Sequence, residues 1–182
     1  MTQRHTIVRG GRITNLGSSG RPAYHRTRGL IQYIGYGRYA DSLGQEQELR
    51  GSWQDHHGRE RSHESVLSWA KERVHRHRYE YTYQLLLSTR DGQLQAQDFN
   101  HVLQQGSELS QVNEWRMMLH DDTDHQHAHV ILFRKQALSQ AQYKQWQQTM
   151  QHALDQVQGQ RQEQQLAQQL EVVQQQDGGQ SL

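Results

Sequence analysis

The chain of 182 residues carries 20 Lys and Arg against 19 Asp and Glu, a formal net charge of +1, so bulk charge neither favours nor excludes a polyanionic partner. The absence of cysteine excludes a disulfide framework and a thiolate metal site, and the absence of an N-terminal apolar region or a bilayer-length run leaves a cytoplasmic protein without membrane insertion as the expectation. The length suits one domain with a sizeable core, while 32% hydrophobic content implies that part of the chain stays solvated.

In chain order, residues 1–27 read as a basic mobile arm. Arg4, Arg9, Arg12, Arg21, Arg26, Arg28 and Arg38 precede Ala40 with no Asp or Glu among them. Glycines 10, 11, 17 and 20 give this stretch a loop-like character. Arginine suits bidentate contact with phosphate, so Arg26 and Arg28, beside the next element, are candidate DNA contacts. Leu30, Ile31 and Ile34 then form a short helical face with Tyr33 at its edge, and glycines 35 and 37 are expected to end it early. Tyr33 reads either as a core tyrosine or as a phenol able to reach a phosphate. Residues 41–63 are polar and turn-rich. Trp53 caps the core from a loop or stacks on a base, and His56 and His57 are available as a base or further ligands.

Ser62 is placed to cap a helix whose apolar positions are Val66, Leu67, Trp69, Ala70 and Val74. Tyr79 to Ser88 alternates and reads as a strand. Gln95 to Gln104 reads as a helix, with Phe99, Val102 and Leu103 inward. Asn113 to Leu119 and Val130 to Phe133 read as paired antiparallel strands. Ala137 to Val157 reads as a helix with Ser139 at its N-cap. Residues 158–182 form a glutamine-rich tail, a marginal helix or disordered, with a faint stripe of Leu166, Leu170 and Val173.

The densest chemistry lies between the paired strands. Residues 120–129 hold four histidines and three aspartates. On a strand, alternate side chains share a face, so His125, His127 and His129 point the same way. His120 lies upstream, where a turn can return it to them. Converging imidazoles make a divalent-metal site, and Asp122 and Asp124 are suited to accept a ring N–H from behind.

The spacing His120-x-Asp122-x-x-His125-x-His127-x-His129 resembles the third motif of conjugative relaxases, the plasmid mobilisation nucleases of the HUH endonuclease superfamily. Leu30-Ile-Gln-Tyr33-Ile34 is similar to their first motif, which carries the nucleophile. The strand end at Ser88 resembles their second. The resemblance spans about Arg28 to Val157 and implies an α+β fold, an antiparallel central sheet with flanking helices, lying on one side as in HUH enzymes. Residues 28–157 are then the nuclease domain.

Tyr33 is implied as nucleophile, with Tyr36 and Tyr39 as alternatives. Ser88 is implied to meet the DNA backbone. His120, His127 and His129 are implied as ligands, with His125 in reserve and Asp122 orienting one of them. Gln126 stands where a proline is usual. Phe133 stands where many relatives have asparagine, so a polar contact near the metal is expected to be missing. Relatives use Mg or Mn, whereas three neutral imidazoles also favour Zn or Ni.

The implied reaction is strand-specific nicking and joining of single-stranded DNA at an origin of transfer through a 5′-phosphotyrosine. An accessory DNA-binding protein and a secretion coupling protein are further implied partners. Two rivals stand beside it. A replication initiator of the same superfamily places its tyrosine after the His motif, where Tyr143 is the one tyrosine available. A non-catalytic metal- or DNA-binding module predicts binding without a covalent adduct.

Overall fold

The computed structural model describes residues 6–37, 48–89, 94–120 and 126–178. Six strands are β1 (Thr6–Thr14), β2 (Trp53–Asp55), β3 (Glu60–Arg61), β4 (Tyr81–Thr89), β5 (Trp115–His120) and β6 (Gln126–Arg134). Four helices are α1 (His25–Tyr36), α2 (His63–His75), α3 (Ala96–Ser110) and α4 (Gln140–Gly178). The strands form one antiparallel sheet in the order β1-β4-β6-β5-β2-β3. No described helix is long and apolar enough to cross a membrane.

Helices cover both faces, not one. The reason is visible in β6, where Val130, Ile131, Leu132 and Phe133 are all buried. Successive residues point to opposite faces, so an unbroken apolar run needs cover on each. Val130 and Leu132 join Tyr83, Leu85 and Leu87 of β4 in a core closed by Phe99 of α3 and Trp146 and Met150 of α4. Ile131 and Phe133 join Met118 of β5 and Trp53 of β2 under Ile31 and Ile34 of α1 and Trp69 of α2. Trp53 is fully buried within a strand, so it is a core residue rather than a loop residue or base platform.

Thr6–Thr14 is not a mobile arm but the edge strand of the sheet. Its glycines mislead because one of them serves packing. A Cβ on Gly10 would lie 2.7 Å from the Tyr143 hydroxyl and 2.6 Å from the Gln84 carbonyl oxygen. Glutamines of α4 occupy the free edge. Gln151 Oε1 accepts from Val8 N at 2.9 Å, and Gln147 Nε2 donates to Val8 O at 2.6 Å. Side chains thus replace a seventh strand and blunt an edge that would otherwise template pairing.

Helix α1 is longer than its glycines suggest, because Gly35 lies inside it. A Cβ there would come within 2.8 Å of His63 Cε1, so Gly35 lets α1 close onto α2. The start of α1 is fixed by a buried polar knot. Asn15 Oδ1 accepts from the hydroxyls of Thr27 at 2.9 Å and Thr82 at 2.8 Å. The caps expected at Ser62 and Ser139 form, accepting from Ser65 N and Gln142 N, each at 3.2 Å. The glutamine-rich tail continues α4 as helix. Arg161 grips Asp98 of α3 at 2.9 Å, and beyond it Leu166 and Leu170 are 60% and 63% exposed.

Asp55 closes the β2–β3 turn. Its carboxylate accepts from the backbone N–H of His57 (2.9 Å) and Arg59 (3.0 Å) and from Arg61 Nε (2.9 Å). Burial pushes its pKa up, but the Arg61 and backbone donors outweigh that and bring it from 3.8 to about 2. A carboxyl depressed by folding stabilises above its unfolded pKa and loses that contribution as pH falls through the folded value. Asp55→Asn is therefore expected to cost on the order of 1–2 kcal/mol at pH 7. The gap in melting temperature from the parent should close between about pH 4 and pH 2. A gap independent of pH would show that the charge is not what stabilises the turn.

Candidate metal centre

The β5–β6 hairpin brings the histidines together through register. His120, the last residue of β5, pairs directly with His127 of β6, and Met118 pairs with His129. Paired residues share a face, as do residues two apart, so all three imidazoles project to the α1/α2 side. One ring nitrogen from each lies within 4.8 Å of the others. Ring centroids are 4.8 to 5.3 Å apart. A tetrahedral ion about 2.1 Å from each nitrogen would draw them to roughly 3.4 Å. Small side-chain rotations supply that closure. His120 is fully buried and His129 is 9% exposed. Three convergent imidazoles, with one wholly withdrawn from solvent, fit a borderline divalent ion.

One neighbour was not legible as a site residue. The Gln84 side-chain amide lies 3.3 Å from His129 Nδ1 (Nε2 as placed). A half turn of the amide presents Oε1 instead, which accepts Nδ1–H and leaves the Nε2 lone pair for an ion. The signal was its place on a strand, because Gln84, Leu86 and Ser88 share one face of β4 by their spacing. Gln84→Leu is expected to weaken Mn or Zn binding about 10–100-fold by calorimetry, and Gln84→Glu to restore or exceed the parent affinity. Equal affinity in parent and Gln84→Leu would remove Gln84 from the site.

The ranks across the sheet place the other predicted residues. Ser88 pairs with His127 on the β4 side, and Ile7 of β1 pairs with Ser88. Arg9 pairs with Leu86, which pairs with His129. These residues face the α1/α2 side, yet Ile7 is 38% exposed, Arg9 is exposed, and Leu86, Ser88 and His127 are only partly covered. The His cluster thus opens sideways onto bare sheet.

Helix α1 crosses this face from β4 toward β2. Its Thr27 hydroxyl sits 2.9 Å from that of Thr82, at the far end of β4. Gly35 and Tyr36 meet His63. His63 Nδ1 accepts from Trp53 Nε1 at 3.1 Å. Trp53 in turn pairs with Met118, in the rank of His129. By helical spacing Tyr33 lies off the buried stripe of Thr27, Ile31 and Ile34. Tyr33 is 43% exposed. Arg26 and Arg28 are exposed in the first turn of α1, and Arg26 shares the stripe of Leu30 and Tyr33.

Three expectations are corrected. Phe133 is not near the histidines. It lies four residues beyond His129 and six beyond His127 on β6, about 13 to 20 Å away at strand rise, packed on Trp69 and Tyr79. His56 and His57 do not join the cluster. They sit at the β2–β3 turn, where His56 packs on Trp115 and burial, then neighbouring His57, lowers its pKa. Tyr143 lies on the opposite face, among Tyr83 and Trp146. Asp122, Asp124, His125 and Tyr39 lie outside the described residues.

No family model, curated protein or solved structure matches the chain. The site therefore rests on its own chemistry. Three imidazoles converge at one end of an antiparallel sheet, beside an exposed strip with a serine and an arginine, on the face that α1 also covers.

Proposed function

We propose that the protein is a metal-dependent DNA nicking and joining enzyme of the relaxase type, acting on single-stranded DNA through a 5′-phosphotyrosine. The observation that carries this reading is the convergence of His120, His127 and His129 on the sheet face that α1 also covers. Imidazole ligands beside an open strip, with an exposed phenol on the helix that covers the same face, are the parts that phosphoryl transfer to tyrosine needs.

His120, His127 and His129 would hold the divalent ion, which when bound offsets charge on the phosphate oxygens. Mg or Mn is the working ion proposed, and the ligand set also takes Zn or Ni. Tyr33, once its proton is removed, attacks the phosphorus through its phenolic oxygen. The bond to the 3′ oxygen breaks, that oxygen takes up a proton and leaves as a hydroxyl, and the 5′ phosphate remains on Tyr33. The phosphotyrosyl diester keeps the bond energy, so a 3′ hydroxyl can reverse the step. Ser88 lies beside His127, where its hydroxyl can donate to the DNA backbone. Arg26 and Arg28 supply phosphate contacts from the start of α1, and Asp122 is the proposed orienter of a ligand.

The position of Tyr143 favours this reading over a replication initiator, because its ring lies across the sheet from the histidines. The test is a denaturing gel. The protein is mixed with Mn and single-stranded oligonucleotides drawn from the DNA around its own gene, labelled at either end. A label downstream of the nick should migrate with the protein, and His127→Ala should abolish it. Cleavage with both ends free would mean that water is the nucleophile. Metal and DNA binding with neither cleavage nor adduct would establish the non-catalytic module.

A further inference from the structure

A cleft lies at the opposite end of the sheet from the histidines. Its volume is about 440 Å³, and Trp69, Arg73, Tyr79, Glu114, Arg134 and Lys135 line it. Lys135 Nζ stands 5.9 Å from the Tyr79 ring centroid, and the Arg73 guanidinium 5.7 Å from it. Both are within reach of the ring quadrupole. Glu114 accepts from Trp69 Nε1 at 2.9 Å, from Arg116 Nη2 at 3.1 Å and from Arg73. Arg116 lies 4.3 Å over the Trp69 ring. One carboxylate thus steadies two guanidiniums. Among the described residues no carboxylate pairs with Arg134 or Lys135.

Three lining cations against one lining carboxylate leave the cleft positive in a chain whose net charge is +1. A merely solvated basic face does not need its side chains held. Here the Tyr79 ring and the Glu114 carboxylate hold two of the three around a concavity, so part of the entropy of ordering long side chains is already spent. Such an array fits a polyanion, and phosphate is the anion arginine and lysine together hold best.

We infer that this cleft is a second nucleic-acid contact, holding backbone phosphates through Lys135 and Arg134 while Arg73 closes its wall. The inference deepens the nuclease reading and rests on it for the choice of polyanion. Phe133, at the cleft, lies six residues beyond His127 on β6, about 20 Å at strand rise. About six base pairs of duplex span that distance at 3.4 Å each. One DNA molecule can therefore lie at the metal centre and reach this cleft with the segment flanking the nick.

The test uses the full chain and fluorescence anisotropy with DNAs of increasing length. All share the shortest segment that the parent protein binds, and the flank is either single-stranded or a hairpin. Parent protein should bind about tenfold more tightly once the flank exceeds about 20 Å, a gain of about 1.4 kcal/mol. Arg134→Glu/Lys135→Glu should lose that gain, and its slope of log affinity against log salt should fall by one to two phosphates. Its calorimetric metal affinity and its cleavage of the shortest DNA should not change. Lys135→Glu alone, at an exposed position, gives a milder version should the double variant melt early.

A parent with no length gain, or a variant that keeps it, overturns the inference. So does a polyglutamate peptide that binds the cleft while DNA does not. Loss of the gain in a protein that never cleaves DNA would keep the cleft as a nucleic-acid contact and sink the nuclease reading alone.

Discussion

Alanine at His127 is expected to abolish the stabilisation that a divalent ion gives the parent protein. A ligand that binds only the folded state adds about 2.7 kcal/mol at a hundred times its dissociation constant. In a chain of this size that raises the melting temperature by roughly 5–10 °C. Removing one of three imidazoles leaves two donors, too few to displace the ion's water shell firmly. Loss of a mere supporting residue already costs 10–100-fold in metal affinity, so loss of a ligand should exceed about 100-fold and erase the shift at the same metal concentration.

His120→Ala separates ligation from packing. His120 is fully buried, whereas His127 is partly exposed. Both variants should lose the metal response, but only His120→Ala should melt lower than the parent without metal, since it also opens a cavity. Scanning calorimetry with and without Mn or Zn decides it. A normal metal-induced rise in both variants would mean that the three rings meet for packing alone.

The legible part of this site was the part set by local periodicity. His127 and His129 are two apart on a strand, so their common face follows from the pleat alone. His120 needed one further step, the hairpin register that sets it opposite His127. Contacts with large sequence separation left little trace. His63 meets Trp53 only because β2 lies beside β5, and nothing local marks that pairing.

β1 was hidden for a different reason. Gly10 and Gly11 carry the composition of a loop, and the close approach of the Gln84 carbonyl oxygen and the Tyr143 hydroxyl explains the first of them. The cover on both faces was in principle readable from the unbroken run Val130–Phe133, which a half-exposed strand would not tolerate. Phe133 was misplaced because a motif was read as a point, whereas six strand residues carry the chain about 20 Å. The glutamines at 147 and 151 cap the sheet edge, a role that composition cannot reveal.

Tyr33→Phe is expected to leave no covalent protein–DNA adduct, with metal affinity and fold intact. The substitution removes one oxygen from a side chain that is 43% exposed, so its effect on stability should stay within about 0.5 kcal/mol. No other atom on the ring can form the phosphodiester, so the adduct should fall to background rather than decline by degrees.

Tyr36→Phe is the close control. Tyr36 is on the same helix, but its ring packs 4.8 Å from that of His63. Tyr143→Phe is the distant one, across the sheet. Both should retain the adduct. If the adduct is lost only in Tyr36→Phe, the nucleophile moves by three residues and the mechanism stands. If it is lost only in Tyr143→Phe, the nucleophile comes from the α4 face. The chain must then bend around the sheet edge to reach the histidines, and the replication-initiator reading displaces the relaxase one. An adduct that survives all three single variants would mean that no tyrosine among them acts alone. The doubles pairing Tyr33→Phe with each of the others would then show whether two phenols substitute for one another at a single phosphate.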